Sequence, residues 1–143
     1  MGVFLLLSGD YLIGVDGPFR LVANEVAIGL TMPFAAIELC RQRLAPSHFI
    51  RVVGLAEVYS PSDGVAAGIL DRVVDAADLL DTATAVATGL ARLDRAAHES
   101  TKARARHSAI NAVRSGMTMD AQTFADVVQI GRASCRERVL FAV

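Results

Sequence analysis

Glu25 is the residue whose surroundings most favour chemistry. Within residues 21–29 it is the only carboxylate in an otherwise apolar stretch. Apolar surroundings disfavour the charged form of a carboxylate, and a general base that works near neutral pH needs this property. The alternative is a solvent-facing glutamate early in a helix that Asn24 caps. The residue types alone leave both interpretations open.

The histidines and cysteines are weaker candidates. His48, His98 and His107 are widely separated in the sequence, and we interpret them as surface or capping residues rather than metal ligands or catalytic groups. Cys40 is predicted to be a small buried residue on a helix. Together with Cys135 it makes neither a disulfide framework nor a zinc cluster, which favours a cytoplasmic protein. The sequence contains no GxGxxG, P-loop, GxSxG or HExxH motif.

The charge distribution argues against a nucleic-acid partner. The 14 Lys and Arg residues against 15 Asp and Glu give a formal net charge of -1, with no acidic or basic block. Lys102, Arg104 and Arg106 are most simply a solvated helix face. Contact of this group with a phosphate is the alternative interpretation.

Length and composition predict one folded domain. The chain has 143 residues, of which 53% are hydrophobic and 20% charged, and this excludes a disordered chain. Residues 1–7 are apolar but too short to span a membrane, and no Lys or Arg precedes them as in a signal peptide. Residues 26–37 are interrupted by Pro33. No membrane segment is therefore predicted.

The elements that must position these residues are short strands and several helices. Residues 11–15, 19–22 and 69–74 have the composition of strands. One helix is predicted to begin near Pro33, a second to run from the cap Ser47 to Val53, and a third from the cap Ser60 to Gly68. A fourth is predicted from Asp75 or Asp78 to about Leu93. Two more are predicted over residues 96–114 and 118–128, with a break at Ser115 and Gly116 between them. This pattern indicates an α/β or α+β protein.

Three segments, in this order, resemble the crotonase superfamily of enoyl-CoA hydratases and isomerases. Residues 1–10 are similar to the family's glycine-rich turn, helix and closing Asp. Residues 24–33 are similar to its Pro-Glu-x-x-x-Gly-x-x-Pro stretch, with Asn24 in place of the first Pro. Residues 55–74, LAEVYSPSDGVAAGILDRVV, resemble its passage with spaced alanines, a Gly-Leu pair and a closing Val-Val. The resemblance extends to about Val128.

This resemblance implies an α/β fold, namely the C-terminal part of a crotonase-like ββα spiral fold with C-terminal helices. Residues 1–74 would form a partial core without the N-terminal half, and residues 75–128 a helical region for trimerisation and for covering CoA. Met1 would then be an internal methionine or a misplaced start. Residues 130–143 resemble a translated sequencing adapter instead, and we expect them to be a non-native tail.

The resemblance also implies an acyl-CoA thioester substrate, whose oxygen is stabilised as an enolate by two backbone N–H groups. Met1 and Gly2 align with the second donor. The first donor belongs to the family's earlier half, so the isolated chain is expected to be incomplete and inactive. CoA would enter as part of the substrate, and neither a separate cofactor nor a metal is implied.

The acidic residues distinguish the reactions within the family. Its hydratases use two glutamates, of which the second aligns with Glu25 and the first with Phe4. Loss of the first carboxylate favours single-base double-bond isomerisation over hydration. Phe4 would then line an apolar acyl pocket, which Pro33 and Phe34 are expected to reshape because they replace a glycine-rich loop.

Lys102 follows Thr101 as in a pair that begins the family's C-terminal helices, and the resemblance implies that it contacts a nucleotide phosphate. It further implies a homo-oligomer, either a trimer or a hexamer, without a nucleic-acid or membrane partner. The alternative is a non-catalytic protein that binds acyl-CoA or assembles with a crotonase partner.

Overall fold

The computed structural model describes the backbone of residues 2–140 and the side chains of residues 2–124. Helices and strands follow in the order α1 (Gly2–Leu7), β1 (Ile13–Val15), α2 (Phe34–Arg43), α3 (Pro46–Val53), α4 (Pro61–Ala66), β2 (Arg72–Val74), α5 (Leu79–Leu90) and α6 (Arg95–Leu140). Short 3₁₀ helices occupy Val26–Ile28 and Ala76–Asp78. Within the described residues, no helix combines the length and apolar character that crossing a membrane requires.

The two strands pair in parallel, with Ile13 opposite Arg72 and Val15 opposite Val74. Parallel strands need a long crossover connection, and α2, α3 and α4 lie within it. The buried hydrophobic residues lie along this crossover and in the chain beside the strands: Leu7, Leu12, Ala23, Met32, Cys40, Leu44, Val52, Val53, Tyr59, Ala67, Ile69 and Leu70. The crossover that carries Glu25 is therefore also the main part of the core.

Local sequence signals predict several helix starts correctly. The Ser60 hydroxyl accepts a hydrogen bond from the Asp63 N–H at 3.2 Å, and α4 begins at Pro61 directly after it. Helix α2 begins directly after Pro33. The predicted cap at Ser47 is wrong, because α3 already begins at Pro46 and has Ala45 in the cap position. Proline at the first helical position has a fixed φ that suits a helix start.

The strands are shorter than the sequence predicts. Residues 19–22 form no strand, and Leu21 makes only an isolated antiparallel bridge to Tyr59. The strand predicted over residues 69–74 is confined to Arg72–Val74. Ile69 and Leu70 are 1% and 3% exposed, so core packing rather than strand pairing accounts for their apolar character.

The C-terminal region differs most from the prediction. Helix α6 runs without interruption from Arg95 to Leu140, so the break predicted at Ser115 and Gly116 is wrong. Gly116 is buried, and a Cβ atom there would lie 2.7 Å from the Ala35 nitrogen. The glycine serves the close approach of two helices instead of ending one. Helix α5 begins at Leu79, after a 3₁₀ turn, and ends at Leu90.

The turn after α4 depends on Gly68. Its φ is +79°, and a Cβ atom would lie 2.9 Å from the Arg43 carbonyl oxygen. Since the neighbour is backbone, it cannot rotate away, and an L-residue at this φ is itself unfavourable. Gly68 therefore allows the turn after α4 to pack directly against the end of α2.

We expect Gly68→Ala to lower the free energy of unfolding by about 2 kcal/mol or more. The matched control is Gly89→Ala on α5, where no heavy atom lies within 4 Å of the added Cβ. Alanine is the better helix former, so the control should leave stability unchanged or raise it by up to about 1 kcal/mol. Urea denaturation of both variants measures the difference, and equal stabilities would contradict the close approach at Gly68.

Asp71 ties α2 to the sheet. Its carboxylate accepts a hydrogen bond from the Leu12 N–H at 2.8 Å and forms an ion pair with Arg43 at the end of α2. Burial acts to raise the pKa of Asp71, but the hydrogen bonds from Arg43 and Leu12 and the charge of Arg43 together hold that pKa below its usual value. The charged form is thus the one that the folded chain prefers.

This preference predicts a pH dependence of stability. A carboxyl whose pKa is lower in the folded chain stabilises it above the unfolded pKa, near pH 4, and this contribution is lost as the pH falls through the folded pKa. We expect Asp71→Asn to be less stable than the parent at pH 7. When the pH falls below about 4, the stability of the variant should decrease less than that of the parent. Thermal unfolding between neutral pH and pH 2 measures both. The exposed Asp81→Asn serves as control, and its curve should follow that of the parent.

Candidate functional site

Glu25 begins a tight loop, which is closed by hydrogen bonds to the Glu25 carbonyl oxygen. Its carbonyl oxygen accepts hydrogen bonds from the Ile28 N–H at 3.1 Å and from the Leu30 N–H at 2.9 Å. Gly29 completes the loop with a φ of +79°, a conformation that suits glycine. The cap position of this 3₁₀ helix falls on Glu25 itself, so the predicted capping role of Asn24 is wrong.

The carboxylate of Glu25 is partly withdrawn from water. Its Oε2 atom is buried and has no hydrogen-bond partner among the residues whose side chains are described. Apolar side chains around it in the sequence are exposed instead, namely Val26, Ile28, Leu30 and Phe34 at 44–61%. An unpartnered buried carboxylate oxygen is rare in folded proteins and calls for an explanation, of which a catalytic role is one. This arrangement suits a group that exchanges protons with a bound apolar molecule.

Cys40 lies on the buried face of α2, close enough to respond to Glu25. The side chain is 0% exposed, and the prediction of a small buried residue is confirmed. Burial raises the pKa of the Cys40 thiol to about 11, and the negative charge of Glu25 contributes to the increase. The charge of Glu25 therefore acts on a thiol in the buried face of α2.

The predicted acyl-pocket residues lie on two helices. Phe4 is half-buried in α1 and packs against the core. Pro33 and Phe34 are exposed at the start of α2. Gly2 is the exposed first residue of α1, with no heavy atom within 4 Å of where a Cβ would lie. Met1 lies outside the described residues.

Lys102 lies on α6 and is paired with Asp10, a contact that the sequence does not signal because 92 residues separate the two. Arg106 approaches the other oxygen of Asp10 at 2.8 Å. The hydrogen bond from Lys102 is the main reason that the pKa of Asp10 lies below its usual value, and the nearby positive charges add to it.

A groove of about 560 Å³ runs between α2, α6 and Ser8, the residue that follows α1. It is lined by Lys102 and Arg106 together with apolar residues such as Leu39 and Ile110, and Glu25 is not among the lining residues. Of the two predicted site residues, Lys102 lines this groove and Glu25 does not.

His48 and His107 each have a side-chain hydrogen-bond partner, and that of His48 is part-buried. Nδ1 of His48 lies 3.0 Å from the Tyr59 hydroxyl, and Nε2 of His107 lies 3.1 Å from the Asn111 amide nitrogen. Tyr59 is buried, so its hydroxyl requires such a partner. These hydrogen bonds account for both histidines without a ligand.

Comparison with known proteins gives a family and several similar structures. A family model described as enoyl-CoA hydratase/isomerase matches residues 1–137. An enoyl-CoA hydratase/isomerase family protein from Pseudomonas syringae is 45% identical with a TM-score of 0.83, over 85% of this chain and 53% of that chain. An enoyl-CoA hydratase from Mycobacterium marinum is 39% identical with a TM-score of 0.77, over 82% of this chain and 52% of that chain. An enoyl-CoA isomerase from Mycobacterium tuberculosis is 36% identical with a TM-score of 0.80, over 85% of this chain and 53% of that chain.

These comparisons establish the fold and leave the reaction open. The helices and the small parallel sheet match crotonase-fold structures, and the predicted fold class is confirmed. The chain spans about half the length of these relatives. Their names include both a hydratase and an isomerase, so the names alone do not select a reaction. The search among curated proteins gives no match.

The effect of the Glu25 charge on Cys40 can be tested by the protonation of the thiol. In a Cys135→Ser background, the S–H stretching band of Cys40 in the Raman spectrum should persist to about pH 11. We expect Glu25→Gln to move the loss of this band to lower pH, because the nearby negative charge is removed. Glu38→Gln on the same helix is the control, since Glu38 pairs with Arg41 at 3.2 Å, and it should leave the band unchanged. An equal effect of the two substitutions would contradict the approach of Glu25 to Cys40.

Proposed function

The chain belongs to the enoyl-CoA hydratase/isomerase family, and from this we propose that it provides the acid–base residue of an enoyl-CoA isomerase. The substrate would be a 3-enoyl-CoA thioester, and Glu25 would move its double bond. The observation that carries the proposal is the buried Oε2 atom of Glu25, which has no hydrogen-bond partner among the described side chains.

In the proposed reaction, the Glu25 carboxylate accepts one proton from C2 of the substrate. The electron pair of the broken C–H bond moves into a dienolate, whose negative charge lies on the thioester oxygen. The same carboxyl then returns its proton to C4, and the double bond ends between C2 and C3. No atom is gained or lost, so a single base is sufficient.

The thioester oxygen needs hydrogen-bond donors while it carries this charge. By resemblance, the backbone at Met1 and Gly2 supplies one of the two donors, and Gly2 is the first residue of α1. The N–H groups of a helix's first turn have no partner within the helix, so they are available to a ligand. Removal of one such donor typically lowers kcat about 10²–10³-fold.

Isomerisation is proposed in preference to hydration because of Phe4. Hydration in this family requires a second carboxylate to hold the attacking water, and the aligned position here is a phenylalanine that packs partly against the core. An aromatic ring neither accepts a proton nor orients a water molecule. The ring instead suits an apolar wall for the acyl chain, with Pro33 and Phe34 as a second wall.

The remaining assignments follow from the family. An acyl-CoA is the proposed partner, with CoA as part of the substrate and neither a metal nor a further cofactor in the reaction. A homo-oligomer, either a trimer or a hexamer, is proposed on the same ground, and a cytoplasmic location is proposed from the low cysteine content. Contact of Lys102 with a nucleotide phosphate is also proposed, in competition with its ion pair to Asp10.

The proposal is tested with a chimera, because the chain spans about half the length of its relatives. The part of the Pseudomonas syringae protein that this chain does not cover is fused to it, and turnover of 3-enoyl-CoA and 2-enoyl-CoA is measured. We expect isomerisation of 3-enoyl-CoA without hydration of 2-enoyl-CoA, and a decrease of at least about 10²-fold in kcat for Glu25→Gln.

Asp81→Asn serves as the matched control, because Asp81 is an exposed carboxylate on α5 and does not line the groove that contains Lys102. Its activity should equal that of the parent chimera. Turnover that does not depend on Glu25 would exclude the single-base mechanism. Binding of acyl-CoA without any turnover would instead support the non-catalytic alternative, and hydration of 2-enoyl-CoA would show that a water is activated without a second glutamate.

A further inference from the structure

The backbone of helix α6 lies directly against the backbone at the start of α2. A Cβ atom at position 116 would lie 2.7 Å from the Ala35 nitrogen and 2.9 Å from the Phe34 carbonyl carbon. Contacts this short with backbone atoms leave room for glycine alone. The middle of α6 therefore approaches the first turn of α2 so closely that position 116 has no room for a side chain.

One turn further along α6, Asp120 caps α2. Its Oδ1 atom accepts a hydrogen bond from the Phe34 N–H at 2.8 Å, and its Oδ2 atom accepts one from the Ala35 N–H at 3.0 Å. The residue in the cap position of α2 is Pro33, which provides no side-chain acceptor. A carboxylate at this end of a helix satisfies free N–H groups and interacts favourably with the helix dipole. The residues next to α2 in the sequence provide no side-chain cap for it. Asp120, which is 86 residues from Phe34 in the sequence, provides this cap instead.

We propose that Asp120 is a positioning residue for the acyl-binding wall at Pro33 and Phe34. This inference rests on the function proposed above and adds to it a residue that determines which acyl chains fit. The carboxylate fixes the backbone of Phe34, a residue that is 44% exposed, and so fixes the point from which its ring extends towards a bound chain. The same helix also carries Cys40, whose thiol pKa is raised in part by the charge of Glu25.

A positioning role differs from simple stabilisation in what it changes. General loosening of the fold lowers the amount of active protein and affects every substrate alike. Displacement of the Phe34 ring instead affects substrates according to how far their acyl chains reach along it. The ratio of kcat/KM between a long-chain and a short-chain 3-enoyl-CoA therefore separates the two explanations.

The test compares Asp120→Ala and Asp120→Asn with Asp94→Ala. Asp94 is the matched control because it also accepts a backbone hydrogen bond, from the Ala97 N–H at 2.8 Å, but it caps α6 itself and not α2. The first measurement is amide hydrogen exchange of Phe34 and Ala35 in the 143-residue chain, which needs no activity. The second is the long-to-short ratio of kcat/KM in the chimera.

We expect Asp120→Ala to accelerate exchange at Phe34 and Ala35 about five- to tenfold. Exchange in β1 should stay unchanged, which verifies that the variant is folded. The long-to-short ratio should fall by about the same factor, with the pH profile of the reaction unaltered. Asp120→Asn retains one acceptor oxygen and should lie between the parent and Asp120→Ala, whereas Asp94→Ala should match the parent in both measurements.

Unchanged exchange at Phe34 and Ala35 in Asp120→Ala would overturn the inference. So would an equal decrease of kcat/KM for both chain lengths, because that result indicates stabilisation alone. An inactive parent chimera overturns the proposed function and the positioning role together. The exchange measurement still determines, in that case, whether Asp120 holds α2.

Discussion

The packing of α2 is the interaction on which the rest of the structure depends. Two parallel strands of three residues each bury little by themselves, and such a pair is not stable without packing against other elements. Helix α2 contacts α1, α3 and α6, and its Cys40 side chain is completely buried. Partners that are distant in sequence hold both of its ends. Asp120 caps the N-terminus, and the ion pair of Arg43 with Asp71 links the C-terminus to the strands.

The same helix connects the fold to the proposed chemistry. Glu25 lies in the connection that leads to α2, and its charge contributes to the raised pKa of the Cys40 thiol on the buried face of this helix. The loop around Glu25 keeps its apolar side chains exposed while one carboxylate oxygen is buried. Burial of a polar atom beside exposed apolar groups is the reverse of what stability alone favours. This inversion is the physical reason to regard the Glu25 loop as a binding surface.

Sequence patterns predicted the features that depend on neighbouring residues. Ser60 with Asp63, Pro33 before α2 and the buried Cys40 all follow from local spacing, and the glutamate in an apolar stretch identified the candidate base. The family resemblance then gave the fold class, which the comparisons confirm.

Features that depend on distant residues could not be predicted in this way. Gly116 has the local signature of a helix end, yet the close approach of Ala35 gives it a different role within a continuous helix. Similarly, the partners of Asp10 and Asp120 lie 92 and 86 residues away, at separations for which no periodicity carries information. The structure of α6 was predicted least accurately from its sequence. Nevertheless, α6 holds α2 in place through Gly116 and Asp120. Substitutions on α6 can therefore act on the Glu25 loop through α2 without any contact with Glu25 itself.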